Sequence, residues 1–535
     1  MIYLIIKLVY NFIMINLFNK KILLVFISVL IVILPIIELD YLLYELLVYY
    51  NIPRFTTIVK FVVLPLVVLL VFYRFEFSKK KVVLFSVCYG LVFLGYFILY
   101  YNNSLYLSNI IRLPNNFRFD IVDDIVYFIG LLVPLVYIWV TYVLDIKDHW
   151  LKKLVVISSL VISVPIVVSN IFVFSLSTYG GSTIDSIFSW FSLPYNELLN
   201  HPRLYAGKFI FEEGNTIGVI LTMILPLLYY YLFRAINKKD QYLFGLLVFV
   251  HSISMIILTT RIATYGTLIV PIIFLVVYLF LYIIKVESVK KWFIGFTIGV
   301  IVINGFIIPF SPAYQNQLID ATNYEFIKLD GADREEADKY RLGASELEPF
   351  SEEWVNFYVY MFEVYAYLIG VTPPVYYSEW YDYRFDPKFW VDLIFDYELY
   401  QRVNGRQLQR IFTDYKYQDL DGYNKLFGMG YSTFMRGSIL LEKDFVMQKY
   451  TLGYIGFGLL LFPWLLLYMF IGVKILLGYH KGCFNLFNII VMMAIGLGLV
   501  GAYISGHIID ELSSSLLLSL LFGVIYRRVY YEYKG

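Results

Sequence analysis

Twelve apolar runs, each near the length of about 20 residues that crosses a bilayer, fill most of this chain, and one hydrophilic insert of 134 residues, Ser311 to Asp444, interrupts them. Hydrocarbon offers no partner to backbone amides, so runs of that length fold as helices that satisfy their own hydrogen bonds. The expected fold class is therefore all-α: a polytopic membrane protein of about 12 transmembrane helices, with one large and mostly helical loop between helices 9 and 10. Composition excludes a soluble enzyme. Hydrophobic residues make up 60% of 535 and charged residues only 16%, more apolar surface than a soluble core of this size can bury.

The runs fall near 22–40, 57–74, 82–101, 122–144, 154–177, 208–233, 242–260, 263–284, 292–310, 446–473, 484–505 and 511–527. The reading divides the chain into a membrane domain over 1–310, a loop over 311–445 and a second membrane domain over 446–535. Met1 to Phe18, apolar with a lone Lys7 and no small-residue cleavage site, reads as a membrane-surface segment.

Charge sets the direction. Alternate short connections carry 21 Lys and Arg, among them Lys79, Lys80, Lys81, Lys238, Lys239 and Lys474, against six in the connections opposite: Arg54, Arg112, Arg118, Arg203, Lys208 and Arg261. Basic side chains are retained on the cytoplasmic face. Both termini are then expected in the cytoplasm and the insert outside the cell membrane. The insert holds 23 acidic against 13 basic residues, net −10, and the remainder 18 against 29, net +11. Cys88 and Cys483 are the only cysteines, so no disulfide framework or thiolate metal site is available.

Four clusters of polar residues lie at the expected outer boundary. They are His201-Pro-Arg203 running on through Gly207-Lys208 to Glu212-Glu213-Gly214-Asn215; Thr259-Thr260-Arg261 in a very short turn; Arg406 and Arg410; and Gly428-Met-Gly430-Tyr431 followed by Glu442-Lys443-Asp444 and Gly453. The i, i+4 spacing of Arg406 and Arg410 places both guanidinium groups on one helical face. A planar fork of donors matches phosphate oxygens, and charges at membrane depth usually line a functional cavity. Each cluster also has a plain structural reading. Arg203 suits an outer-loop charge, with Lys208 reaching to the interface; Arg261 suits a carbonyl cap; Arg406 and Arg410 suit a solvated helix face; Glu442 and Asp444 suit a span boundary. His507 with Asp510-Glu511 marks another short outer turn.

Taken in order, the strings resemble the O-antigen ligase and polymerase family of membrane glycosyltransferases, a branch of the GT-C class. They are Arg203, Gly207 and Asn215; Thr259, Thr260 and Arg261; Asn404, Gly405 and Arg406; Gly428, Gly430 and Tyr431; Glu442, Asp444, Gly453 and Gly456; and Gly506 with His507. The resemblance runs from about Arg203 to the C-terminus. It implies a polymerase that joins polyprenyl-diphosphate-linked oligosaccharides at the outer face. Arg203, Arg261, Arg406 and Arg410 would hold the diphosphate, and Arg406 with Glu442 or Asp444 would do the catalysis. Arginines stand in for a cation, so no metal or cofactor is expected. Partners would be the lipid-linked oligosaccharide and the bilayer, with room for a flippase and a chain-length regulator and none for nucleic acid. Lipopolysaccharide ligases of the family typically carry a histidine near the end of the large loop. The insert has none, which favours the polymerase branch or a ligase for another acceptor. Two further readings stay open: a metal-dependent GT-C enzyme using Glu38 and Asp40, and a lipid-linked-sugar flippase.

Overall fold

The structure is a computed structural model that describes residues 20–74, 79–110, 113–114, 116–178, 185–191, 206–315, 331–371, 374–437, 439 and 441–534. The segment Met1 to Phe18, expected on the membrane surface, lies outside them. Among the described residues the chain is helical, with no strand. Twelve helices among the described residues are long and apolar enough to cross a membrane: Lys20–Ile37, Phe55–Tyr73, Lys80–Asn109, Ile121–Leu144, Asp148–Ile171, Gly214–Arg234, Lys238–Ile257, Arg261–Ile283, Lys291–Phe310, Asp444–Leu477, Leu486–Ile504 and Leu512–Tyr533. Their number agrees with the hydropathy reading.

The chain divides into two compact units, one of Met1–Phe85, Ile129–Asn316 and Phe462–Gly535, the other of Ser86–Phe128 and Gln317–Leu461. In the first unit the Gly214–Arg234 helix is the core. Its apolar window is wholly buried, as expected of a helix that is hydrophobic all round. The Leu486–Ile504, Lys238–Ile257, Arg261–Ile283 and Asp148–Ile171 helices pack on it. Small residues set the approach: a Cβ on Gly501 would stand 2.7 Å from Val219, and one on Gly218 would stand 2.5 Å from the Thr260 hydroxyl. With little hydrophobic drive between helices in lipid, such close contact is what holds them. A polar knot ties three of these helices at His251, which is fully buried. The Ser159 and Ser163 hydroxyls lie 2.8 and 3.0 Å from its Nδ1, and its Nε2–H donates to the Leu221 carbonyl at 2.9 Å. Every ring nitrogen is thereby satisfied without a charge.

The second unit carries the hydrophilic insert. Its helices run Gly331–Ser345, Glu352–Tyr365, Pro387–Asp396, Leu399–Val403, Gly405–Gln418, Gly422–Phe427 and Tyr431–Arg436. Glu352–Tyr365 is amphipathic and lays Trp354, Tyr358, Met361, Phe362 and Tyr365 against Pro387–Asp396. This helix stops at Tyr365 and tightens into a single turn, Ala366–Leu368. The stretch from Val391 to Tyr417 is divided among three helices, because Glu398 and Gln401 form a capping box at Leu399–Val403 and the Asn404 side chain caps Gly405–Gln418. Short caps start new helices wherever orphan amide groups need acceptors. An aromatic core of Tyr381, Phe389, Trp390 and Phe412 fills the space between. Within it, buried Lys416 pairs with Asp386 at 3.0 Å.

Candidate active site

In the second unit the Asn404 cap decides where the arginines point. Its side-chain oxygen accepts from the Arg406 and Gln407 amides at 3.1 and 3.3 Å, so Arg406 lies in the first turn of the Gly405–Gln418 helix and Arg410 one turn on. Arg406 Nε donates to Glu442 Oε2 at 2.5 Å. Arg410 Nε stands 3.4 Å from Asp414 Oδ2, and the Tyr450 hydroxyl donates to Asp414. Lys443 completes the group. Burial, then the Arg406 and Arg410 charges, hold its ammonium below the ordinary lysine range. Three cations therefore meet two carboxylates on one surface of this unit. Tyr376 borders them, its hydroxyl 3.7 Å from the position a Gly405 Cβ would take. Burial, and after it the Glu442 charge, raises the Tyr376 phenol above its usual pKa. Asp444 opens the next helix and is fully buried.

The Gly428-Met-Gly430-Tyr431 string has an architectural reason. Gly428, Gly430 and Gly453 adopt positive φ of 83°, 87° and 70°. Met429 and Gly430 donate their amides to the Tyr450 and Thr451 carbonyls at 3.0 Å each, and the Asp444–Leu460 helix is broken at Gly453. A Cβ on Gly428 would stand 2.4 Å from the Thr451 oxygen, and one on Gly453 would stand 2.4 Å from the Leu426 oxygen. Asn103 Nδ2 donates to the Gly428 carbonyl at 2.7 Å, the Tyr431 amide to the Tyr100 hydroxyl at 3.0 Å and the Ser432 amide to buried Asp124 at 2.9 Å. Arg436 bridges Asp120 and Asp123 at 2.5 and 2.8 Å. The end of the insert is clamped by these bonds.

The first unit has its own polar residues at span ends. Arg203 lies outside the described residues. Arg261 is exposed at the start of the Arg261–Ile283 helix, which Thr260 caps by accepting from the Ala263 amide at 3.4 Å. Gly207 is gripped through both backbone groups by Asn170, at 2.7 and 3.0 Å. Asp40 is buried and accepts from Arg54 at 2.7 and 2.9 Å through one oxygen and from the Thr56 amide at 3.2 Å through the other, while Arg54 also reaches Glu212 at 3.0 Å. A carboxylate so occupied does not resemble an open metal ligand. In the 505–511 connection His507 Nδ1 lies 3.2 Å from Asp510 Oδ2. Burial opposes ionisation of Asp510, but the His507 ring and the Lys60 ammonium outweigh it and hold the carboxyl below its ordinary range. Glu511 is pushed up to about 7 by burial and by the adjacent Asp510 charge.

Of the residues picked from sequence, Arg406, Arg410 and Glu442 stand together within the second unit, Asp444 is buried in its helix start, and Arg261 belongs to the first unit. Lys443 stands between Glu442 and Asp444 but gives no signal of its own in the sequence, because its cationic neighbours Arg406 and Arg410 are distant along the chain. Tyr376 carried no signal except the richness of this stretch in aromatics.

Fold and site together define a polytopic helical membrane protein whose hydrophilic insert gathers arginine, lysine and carboxylate side chains. The family of O-antigen ligase like membrane proteins matches residues 16–530, and the chain belongs to it. Membership suggests glycan transfer at a membrane, with a lipid-linked oligosaccharide as substrate. No curated protein and no solved structure matches the chain.

Proposed function

We propose that this protein is a polysaccharide polymerase that transfers polyprenyl-diphosphate-linked oligosaccharide units to a growing surface polysaccharide at the outer face of the cytoplasmic membrane. The observation that carries the reading is the convergence of Arg406, Arg410 and Lys443 beside Glu442 and Asp414. Such a surface suits a diphosphate: its charge is met by guanidinium forks and an ammonium without a divalent ion. In the resting protein Glu442 occupies Arg406. Phosphate oxygens compete for the same donors, and their arrival frees the carboxylate.

The acceptor hydroxyl then attacks the anomeric carbon while the bond from that carbon to the phosphate oxygen breaks. Glu442 takes the hydroxyl proton, and the polyprenyl diphosphate leaves with its charge on the three cations. Attack opposite the departing group inverts the anomeric configuration. Charge fixed in advance where the leaving group develops its own is usually the largest contribution to such a step, and a positioned base adds about 100 to 10,000-fold. Asp444, fully buried, is the less suited base of the two named from sequence. Arg203 and Arg261 enter as further diphosphate ligands on the sequence pattern alone. The Lys and Arg bias of the short connections supports a cytoplasmic position for both termini and an outer one for the insert. A flippase supplying substrate and a chain-length regulator fit this chemistry as partners.

The test is incubation of the protein in lipid vesicles with its own organism's polyprenyl-diphosphate repeat unit, with the products resolved by size. A ladder of repeats that disappears in Arg406→Ala is expected. A single transfer to another acceptor would make the protein a ligase of the same family instead.

A further inference from the structure

Beside the cations, the turn Tyr376–Trp380 has the wide π form, closed by the Tyr381 amide donating to the Tyr376 carbonyl at 3.0 Å. Such turns are uncommon and gather at functional sites. Its aromatic residues divide in two. Tyr377 packs inward on Phe362 and Trp390, and Tyr381 is fully buried. Tyr376 and Trp380, half-buried as Tyr377 is, instead meet each other, ring to ring at 4.6 Å and 77°. The two rings thus stand edge to face at nearly a right angle, each partly open to solvent. The Asn116 amide donates to the Trp380 carbonyl at 2.9 Å and fixes the turn from behind, while the Tyr376 hydroxyl rests against the first turn of the Gly405–Gln418 helix, next to Arg406. Large aromatic rings kept half in water beside a charged site need another reason.

We propose that Tyr376 and Trp380 form a sugar subsite, taking the apolar C–H face of the pyranose ring that is attached to the diphosphate. A pyranose is amphipathic: its ring hydrogens make an apolar face and its hydroxyls a polar rim. Two partly exposed aromatic rings set at nearly a right angle, next to guanidinium and carboxylate groups, supply both halves of that recognition. The first sugar of a lipid-linked oligosaccharide is one bond from its phosphate, so a subsite adjoining Arg406 is where that ring falls. The inference rests on the reading of Arg406, Arg410 and Lys443 as the diphosphate site. Stacking on C–H faces tolerates different sugars, so this subsite holds the ring in place and leaves the choice of sugar to polar neighbours.

The experiment compares binding of three probes to the full-length protein in nanodiscs: farnesyl diphosphate, and farnesyl diphosphate bearing glucose or N-acetylgalactosamine. The parent protein should bind at least one sugar-bearing probe more tightly than the bare diphosphate. Trp380→Ala and Tyr376→Ala should each weaken the sugar-bearing probe by about tenfold, the upper range for one aromatic contact, and leave farnesyl diphosphate unchanged, which also shows that the variants are folded. Tyr376→Phe keeps the ring and should keep the affinity. Arg406→Ala should weaken all three probes. Equal binding of all probes by the parent, or equal losses on all probes in Trp380→Ala, would overturn the subsite while leaving the diphosphate reading intact. Unchanged binding in Arg406→Ala would instead remove the diphosphate reading on which the subsite rests.

Discussion

Arg406 is in the first turn of its helix, where the exposed N–H ends of the dipole disfavour a cation by about 0.3–1 kcal/mol. The Glu442 carboxylate at 2.5 Å offsets that cost. Arg406→Ala is expected to lower transfer by at least about 100-fold. Arg406→Lys keeps the charge but loses the fork, and should fall between the two; kcat on one lipid-linked substrate decides. A second residue carries a pH signature. The Glu511 carboxyl has its pKa raised to about 7 in the folded protein, so between its ordinary value and 7 the unfolded chain holds fewer protons than the folded one. Stability then falls as pH rises through that window. Glu511→Gln should flatten this fall, measured as unfolding temperature in detergent from pH 4.5 to 8; an unchanged profile would mean that Glu511 ionises normally. Arg406 and Arg410 were legible in the sequence because helix spacing alone puts them on one face. Lys443 and Tyr376 were not, since their neighbours come from tertiary folding.

At the scale of elements, the crossing of the Gly428–Gly430 segment over the broken Asp444–Leu460 helix admits no side chain at two points. Gly453→Ala and Gly428→Ala combine positive φ with a backbone clash, and each should cost more than about 2 kcal/mol. Gly458 is on the same helix with nothing within 4 Å of its Cβ position; Gly458→Ala should hold the unfolding temperature or raise it slightly. Equal effects at 453 and 458 would contradict the break. The strings Gly428-Met-Gly430 and Gly453 were visible as glycines, but only the fold reveals that they serve each other. The spans were legible because bilayer thickness fixes their length. The splitting of 391–417 was not foreseen, although Glu398 and Asn404 are ordinary cap residues. Helical periodicity continues through such short interruptions, and caps act on single amides.

For the whole molecule, the orientation proposed from Lys and Arg makes a prediction of its own. In a chain with Cys88 and Cys483 replaced, Glu335→Cys in the insert should react with an impermeant maleimide on intact cells, and Lys239→Cys only after the membrane is opened; both positions are exposed. The reverse pattern would invert the topology. The central claim is that this family member makes glycosidic bonds, and the most direct measurement is the release of free polyprenyl diphosphate from vesicles supplied with the lipid-linked repeat unit. One diphosphate should appear for each glycosidic bond formed, and Arg406→Ala should abolish both together. Repeat units that cross the bilayer with their diphosphate linkage intact, and no free polyprenyl diphosphate, would contradict the account and make the protein a transporter.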